Sequence, residues 1–125
     1  MSRPFDVRHI DHVVLRVRDV EASLAFYRRL LGCEVARRRD DLGLVHLRAG
    51  ASMIDLVAVD GALGRRGGGP ALASGRNMDH LCLRIDPFDE AEIVAHLARN
   101  GLAPEGPAGT NFGAEGYGPS LYVAD

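Results

Sequence analysis

Two stretches of this chain, 10–17 and 78–85, follow one pattern. The first reads Ile10-Asp11-His12-Val13-Val14-Leu15-Arg16-Val17 and the second Met78-Asp79-His80-Leu81-Cys82-Leu83-Arg84-Ile85. Asp, His, Leu and Arg recur at the same places, and the other positions exchange apolar residues. A duplicated segment constrains the fold more than any composition does: two copies of one unit imply two related modules, each opening on a strand that begins with histidine. Alternation in residues 10–17 puts His12, Val14 and Arg16 on one face and Val13, Leu15 and Val17 on the other. The second set suits a face packed on a helix, so His12 points to the opposite side of the sheet.

The repeat continues past the strand. In the first half Asp19 is an expected N-cap, Val20, Leu24, Tyr27 and Leu31 form one helical stripe, and Gly32 is an expected C-terminal stop. Three extended pieces follow, Glu34–Arg39, Leu42–Arg48 and Ser52–Val59, separated by turns at Asp40-Asp41 and Ala49-Gly50-Ala51. In the second half Asp86 and Pro87 are expected to open a helix. Its stripe is Phe88, Ala91, Ala95 and Ala98, widened by Val94, and Asn100-Gly101 closes it. A short extended piece at 102–104, a loop over 105–119 and a strand over 120–124 complete the reading. Module one thus spans 8–59, a glycine-rich linker 60–77, and module two 78–125, in one domain covering 1–125. Module one reads as βαβββ, whereas module two is one strand short, and the expectation is a chain truncated before its final strand.

Composition narrows the function classes. A net charge of -2 gives no electrostatic reason to bind nucleic acid or an anionic membrane. All 15 basic residues are arginine, which excludes lysine Schiff-base chemistry. The linker glycines precede no Gly-Lys-Ser/Thr and are not a phosphate loop. The two cysteines, Cys33 and Cys82, form no disulfide framework, and a reduced, cytoplasmic setting is expected.

The candidate site residues follow from the repeat. Two imidazoles with a carboxylate suit a catalytic divalent metal, which makes His12 and His80 candidate ligands, alongside their bland reading as inherited strand-start residues. Asp55 stands in the middle of an apolar strand with Met53, Val57 and Val59 on its face, and a carboxylate there needs a partner. It is a candidate ligand and catalytic group, weighed evenly against a surface carboxylate. Arg16 and Arg84 share the histidine face and are candidate substrate contacts, with a salt bridge the stronger alternative for each. Asn111 and Tyr117, with Glu115, lie on the glycine-rich loop and could touch substrate, although a solvated loop explains each as well. Cys82 reads as a buried apolar cysteine. His46, sharing parity with Leu42, Leu44 and Arg48, is a weak candidate.

The segment HIDHVVLRVRDVEASLAFYRRLLGCEV resembles the opening module of the vicinal oxygen chelate superfamily, the glyoxalase/bleomycin-resistance/extradiol dioxygenase group. NMDHLCLRI, the second helix and GAEGYGPSLYVAD resemble its second module. The resemblance implies an α+β fold of two βαβββ modules related by a pseudo-twofold, with curved mixed sheets enclosing a metal-site cavity. It places His12 and His80 at two ligand positions. It puts Asp55 where glyoxalase I enzymes carry a glutamate, and it expects a further glutamate on a strand after residue 125. It implies a divalent metal (Zn, Ni, Mn or Fe), a small-molecule substrate with adjacent oxygens, a thiol cosubstrate such as glutathione, and a homodimer. A glyoxalase-type lyase or isomerase is the leading activity. A fosfomycin-type thiol transferase, an extradiol dioxygenase and a metal-free drug-binding resistance protein are the alternatives. The low aromatic content, with no tryptophan, argues against the last.

Overall fold

The computed structural model describes residues 3–75 and 78–125, so the last two residues of the expected linker lie outside the described residues. The chain divides into two compact units, Met1–Gly75 and Arg76–Asp125.

The first unit contains a four-stranded mixed sheet in the order β1-β4-β3-β2. β1 is His12–Val17, β2 Val35–Arg39, β3 Leu44–Ala49 and β4 Ser52–Ala58. β1 runs parallel to β4, with His12 opposite Met53 and Val14 opposite Asp55. β3 runs antiparallel to β4, with His46 opposite Asp55. The expected parity holds in β1, where Val13, Leu15 and Val17 are each less exposed than their neighbours on the His12 face. The same side of the sheet carries Val45, Leu47, Ile54 and Leu56, all fully buried. Each such side chain contributes about 1.5–3 kcal/mol by leaving water, so this layer holds β3 and β4 rigidly in register.

Helix α1, Val20–Ala25, opens as expected on Asp19, whose side chain accepts from the Ala22 amide at 3.1 Å. It does not continue as one α-helix. Residues Phe26–Leu30 form a π turn, and a π turn holds one extra residue per turn. The buried stripe is Leu24, Tyr27 and Leu30; Leu31, which was expected to end it, caps the π turn and is 37% exposed. The chain then reverses at Gly32, whose φ of +70° suits glycine alone, and the Cys33 amide donates back to the Tyr27 carbonyl.

In the second unit, helix α2 spans Glu90–Arg99 and is capped by Asp89, which accepts from the Glu92 amide at 3.1 Å. The helix starts three residues later than the sequence suggested, because Asp89, rather than Asp86, reaches the orphan amide of the first turn. Its most buried residue is Leu97, with Ile93 partly buried one turn earlier, whereas Ala91, Val94 and Ala98 face outward. The larger side chains took the inward face and displaced the alanine stripe. The segment expected as a loop over 105–119 contains a two-stranded hairpin, β5 Gly109–Gly113 and β6 Gly116–Ser120, closed by Ala114-Glu115. Gly116, at φ +100°, allows that tight closure. β6 ends at Ser120, so residues 121–124 are not the strand that was expected, although the Glu105 amide donates to the Tyr122 carbonyl. Residues 78–85 pair with no strand among the described residues. β1 becomes a strand by pairing with β4, and alternation alone gives the repeated segment no such ladder among the described residues.

Candidate functional site

One face of the first unit's sheet gathers the polar residues that the repeat and the strand pattern single out. Neighbouring residues across a ladder point to the same side, so His12, Val14 and Arg16 of β1 share a face with Met53, Asp55 and Val57 of β4 and with Leu44, His46 and Arg48 of β3. At its centre is Asp55, the one buried charged residue among the described residues, at 5% exposure.

Asp55 Oδ1 accepts no hydrogen bond. His46 Nδ1 lies 2.9 Å from it, within ion-pair distance. The two observations differ because the ring nitrogen is close but its N–H direction does not aim at the oxygen, and direction decides a hydrogen bond. A buried carboxylate oxygen without a donor is unfavourable by about 1–3 kcal/mol. Such an atom fits a position where a cation supplies the missing partner.

His12 stands on the adjacent strand, half exposed. Its Nδ1 is 2.8 Å from Asp11 Oδ1. That contact, followed by the charge of Asp55, raises the His12 pKa above its usual value, and the same contact lowers that of Asp11. With Nδ1–H donating to Asp11, Nε2 carries the free lone pair. A carboxylate behind a histidine is the arrangement that orients imidazole for a metal. The second unit repeats it: His80 Nδ1 lies 2.7 Å from Asp79 Oδ2, and the His80 ring meets Tyr122 edge to face at 5.7 Å.

The other candidates are placed as follows. The Arg16 guanidinium donates to the carbonyls of Gly64, Gly68 and Gly69 at 3.0, 2.6 and 3.1 Å. It thereby fastens the glycine-rich segment to β1, and Arg18 adds a bond to the Ala71 carbonyl at 3.0 Å. Gly67 lies close against the guanidinium, where an added Cβ would sit 2.8 Å from Arg16 Nε and oblige the arginine side chain to shift. Arg84 pairs with Glu115. Asn111 donates to Ser120 Oγ at 2.6 Å. Tyr117 is 79% exposed and meets Phe112 edge to face across the hairpin. Cys82, expected to be buried, is exposed, while Cys33 is buried and its thiol pKa is pushed up by burial.

Two surface depressions lie apart from these residues. One, beside α1, is lined by Glu21, Leu24, Arg28 and Glu34, and the other lies on the outer face of α2. Among the described residues, no three His, Cys, Asp or Glu side chains converge closely enough to hold a metal ion as they stand. His46 is the residue that sequence reasoning undervalued. Its signal was in the turn: counting outward from Gly50-Ala51 pairs Ala49 with Ser52 and therefore His46 with Asp55.

The family model of the Glyoxalase/Bleomycin resistance protein/Dioxygenase superfamily matches residues 9–120. The chain belongs to this superfamily. Solved structures agree on the fold. A cassette protein from the mobile metagenome of V. Pseudocholerae is 24% identical with a TM-score of 0.75, over 97% of this chain and 88% of its own. A virulence protein from Salmonella typhimurium is 22% identical with a TM-score of 0.76, over 97% and 90%. A lactoylglutathione lyase from Agrobacterium tumefaciens is 22% identical with a TM-score of 0.66, over 96% and 87%. The superfamily's small α+β fold, with a mixed sheet and few helices, is therefore this chain's fold. No described helix is long and apolar enough to cross a membrane.

Proposed function

We propose that this superfamily member is a divalent-metal-dependent enzyme, a lyase or isomerase of the glyoxalase type acting on a small substrate with adjacent oxygens. The observation that carries the reading is Asp55: a buried carboxylate whose Oδ1 lacks a donor, on the sheet face that also bears His12. An apolar side chain would be the stable choice in mid-strand, so retention of the unpaired oxygen points to a bound cation.

In this reading His12 and Asp55 hold the metal, and the repeat assigns the same role to His80. A divalent metal bound there supplies Lewis acidity to two adjacent substrate oxygens. Asp11 and Asp79 keep the two imidazoles oriented with Nε2 free. Asp55 is also the base: its carboxylate takes the proton from the substrate carbon beside a carbonyl and returns it to the neighbouring carbon. A side chain on a central, register-locked strand suits that transfer, because its oxygen stays fixed while the substrate is exchanged. Asn111 and Tyr117 on the hairpin are the proposed substrate contacts. The reading carries with it a thiol cosubstrate such as glutathione and a homodimer.

The resemblance to thiol transferases and extradiol dioxygenases gives Asp55 no role, so one variant separates the readings. In Asp55→Asn, metal-supported isomerisation of a hemithioacetal is expected to fall at least a hundredfold, while epoxide opening or catechol cleavage would survive. Unchanged isomerisation would remove Asp55 from the chemistry. A wild-type protein that retains no divalent metal in elemental analysis would remove the reading altogether.

A further inference from the structure

We propose that His46 is a metal ligand, and that His46 Nδ1 and Asp55 Oδ1 form one edge of the metal site. This rests on the metal-dependent reading above and adds to it a residue that neither the repeat nor the superfamily resemblance supplies.

His46 Nδ1 and Asp55 Oδ1 lie 2.9 Å apart. Neither donates to the other, since Asp55 Oδ1 has no hydrogen-bond partner. Two electronegative atoms at that distance with no hydrogen aimed between them are unfavourable, and a cation beside both relieves them. Imidazole nitrogen binds first-row metals at about 2.0–2.1 Å and carboxylate oxygen at about 2.0–2.2 Å. Two such ligands 2.9 Å apart subtend an angle of about 90° at the ion. A tetrahedral pair would stand about 3.4 Å apart. The separation therefore matches the adjacent edge of a five- or six-coordinate ion, which leaves positions open for two substrate oxygens. An imidazole with a carboxylate also selects Mn, Fe, Ni or Zn over Ca and Mg.

The edge is built into the fold. His46 and Asp55 are directly opposed in the β3–β4 ladder. Val45 and Leu47, on either side of His46, are fully buried, as are Ile54 and Leu56, on either side of Asp55. Their burial on the far face pins both backbones, so the two side chains meet without any long-range adjustment. His12, opposite Met53 on the other neighbouring strand, stands two residues along the same face. It reaches the shared ion by rotating its half-exposed side chain. The alternative is a His46 ring turned so that Nδ1–H donates to Asp55, which needs no metal.

The experiment is Zn2+ titration against a chromophoric chelator, with wild type, His46→Gln and His12→Ala. It is combined with pulsed electron paramagnetic resonance of the Cu2+-loaded proteins to count bound imidazoles. His46→Gln is expected to weaken Zn2+ binding at least tenfold and to lose one imidazole from the Cu2+ count. Affinity within threefold of wild type with an unchanged count overturns the proposal. If His12→Ala still loses affinity in that case, the metal-dependent reading stands and only the role of His46 falls. A wild type that binds no Zn2+ sinks both. Long-range proton–nitrogen spectra of the wild type guard against a misfolded variant: Zn2+ must shift the His46 Nδ1 resonance, and an unmoved resonance overturns the assignment.

Discussion

Replacing Asp55 by valine should stabilise the metal-free protein and abolish its stabilisation by metal. The side chain at this position is 5% exposed, on a strand whose buried neighbours are Ile54, Leu56 and Val57. Removing an unpaired buried oxygen relieves about 1–3 kcal/mol. Valine suits a strand and is close to aspartate in size, so its overpacking penalty should stay near ~1 kcal/mol. His46 is partly exposed and can hydrate once its neighbour is gone. The net expectation is a gain of about 0–2 kcal/mol, or up to roughly 10 °C in midpoint for a domain of this size. The wild type should gain about 2.7 kcal/mol at a metal concentration 100 times its dissociation constant, whereas the variant should gain nothing. Thermal unfolding in chelator and then in Zn2+ should therefore show the two curves crossing. A variant that melts below wild type in chelator would show that the carboxylate is net favourable where it sits. An equal gain from Zn2+ in both proteins would remove Asp55 from the metal site.

Three further expectations concern neighbouring features. Leu30→Ala should destabilise by about 2–4 kcal/mol and Leu31→Ala by less than ~1 kcal/mol, because the first is buried and the second exposed. Urea denaturation distinguishes them, and the reverse order would refute this assignment of the buried leucine. Nuclear magnetic resonance titration of the metal-free protein should place the His12 pKa above the ordinary histidine value, and Asp11→Asn should lower it. Since folding raises His12 and lowers Asp11, the pair stabilises the fold above the ordinary pKa of aspartate and loses its effect as pH rises through the His12 value. Stability near pH 5–6 in wild type and Asp11→Asn checks that sign. Arg16→Ala should release the 64–71 segment and speed tryptic cleavage after Arg65 and Arg66, since three carbonyl contacts are lost. An unchanged cleavage rate would mean that the loop is held without Arg16.

The strand of the first Asp-His copy, the Asp19 cap, the three extended pieces of module one and the stop at Gly32 were legible in sequence. Each depends on local chemistry: alternation, a side chain that caps its own helix, a glycine that accepts positive φ. The carboxylate of Asp55 was also visible as an anomaly in an apolar strand. Its burial and its orphaned oxygen were not visible, because both depend on the strands that flank β4. Tertiary structure also decided which leucine closes the α1 stripe: Leu30, the last residue of the π turn, is buried, whereas Leu31 caps the turn and faces outward. It decided that Arg16 fastens a distant glycine-rich segment, a pairing between residues about fifty positions apart. It decided that residues 78–85, nearly the same sequence as β1, form no ladder. Alternation gives a segment the capacity to be a strand, but only a neighbouring strand satisfies its amides and carbonyls. The site follows the same division. Sequence named His12 and Asp55 from residue type and pattern, and cross-strand register brought His46 to within 2.9 Å of Asp55.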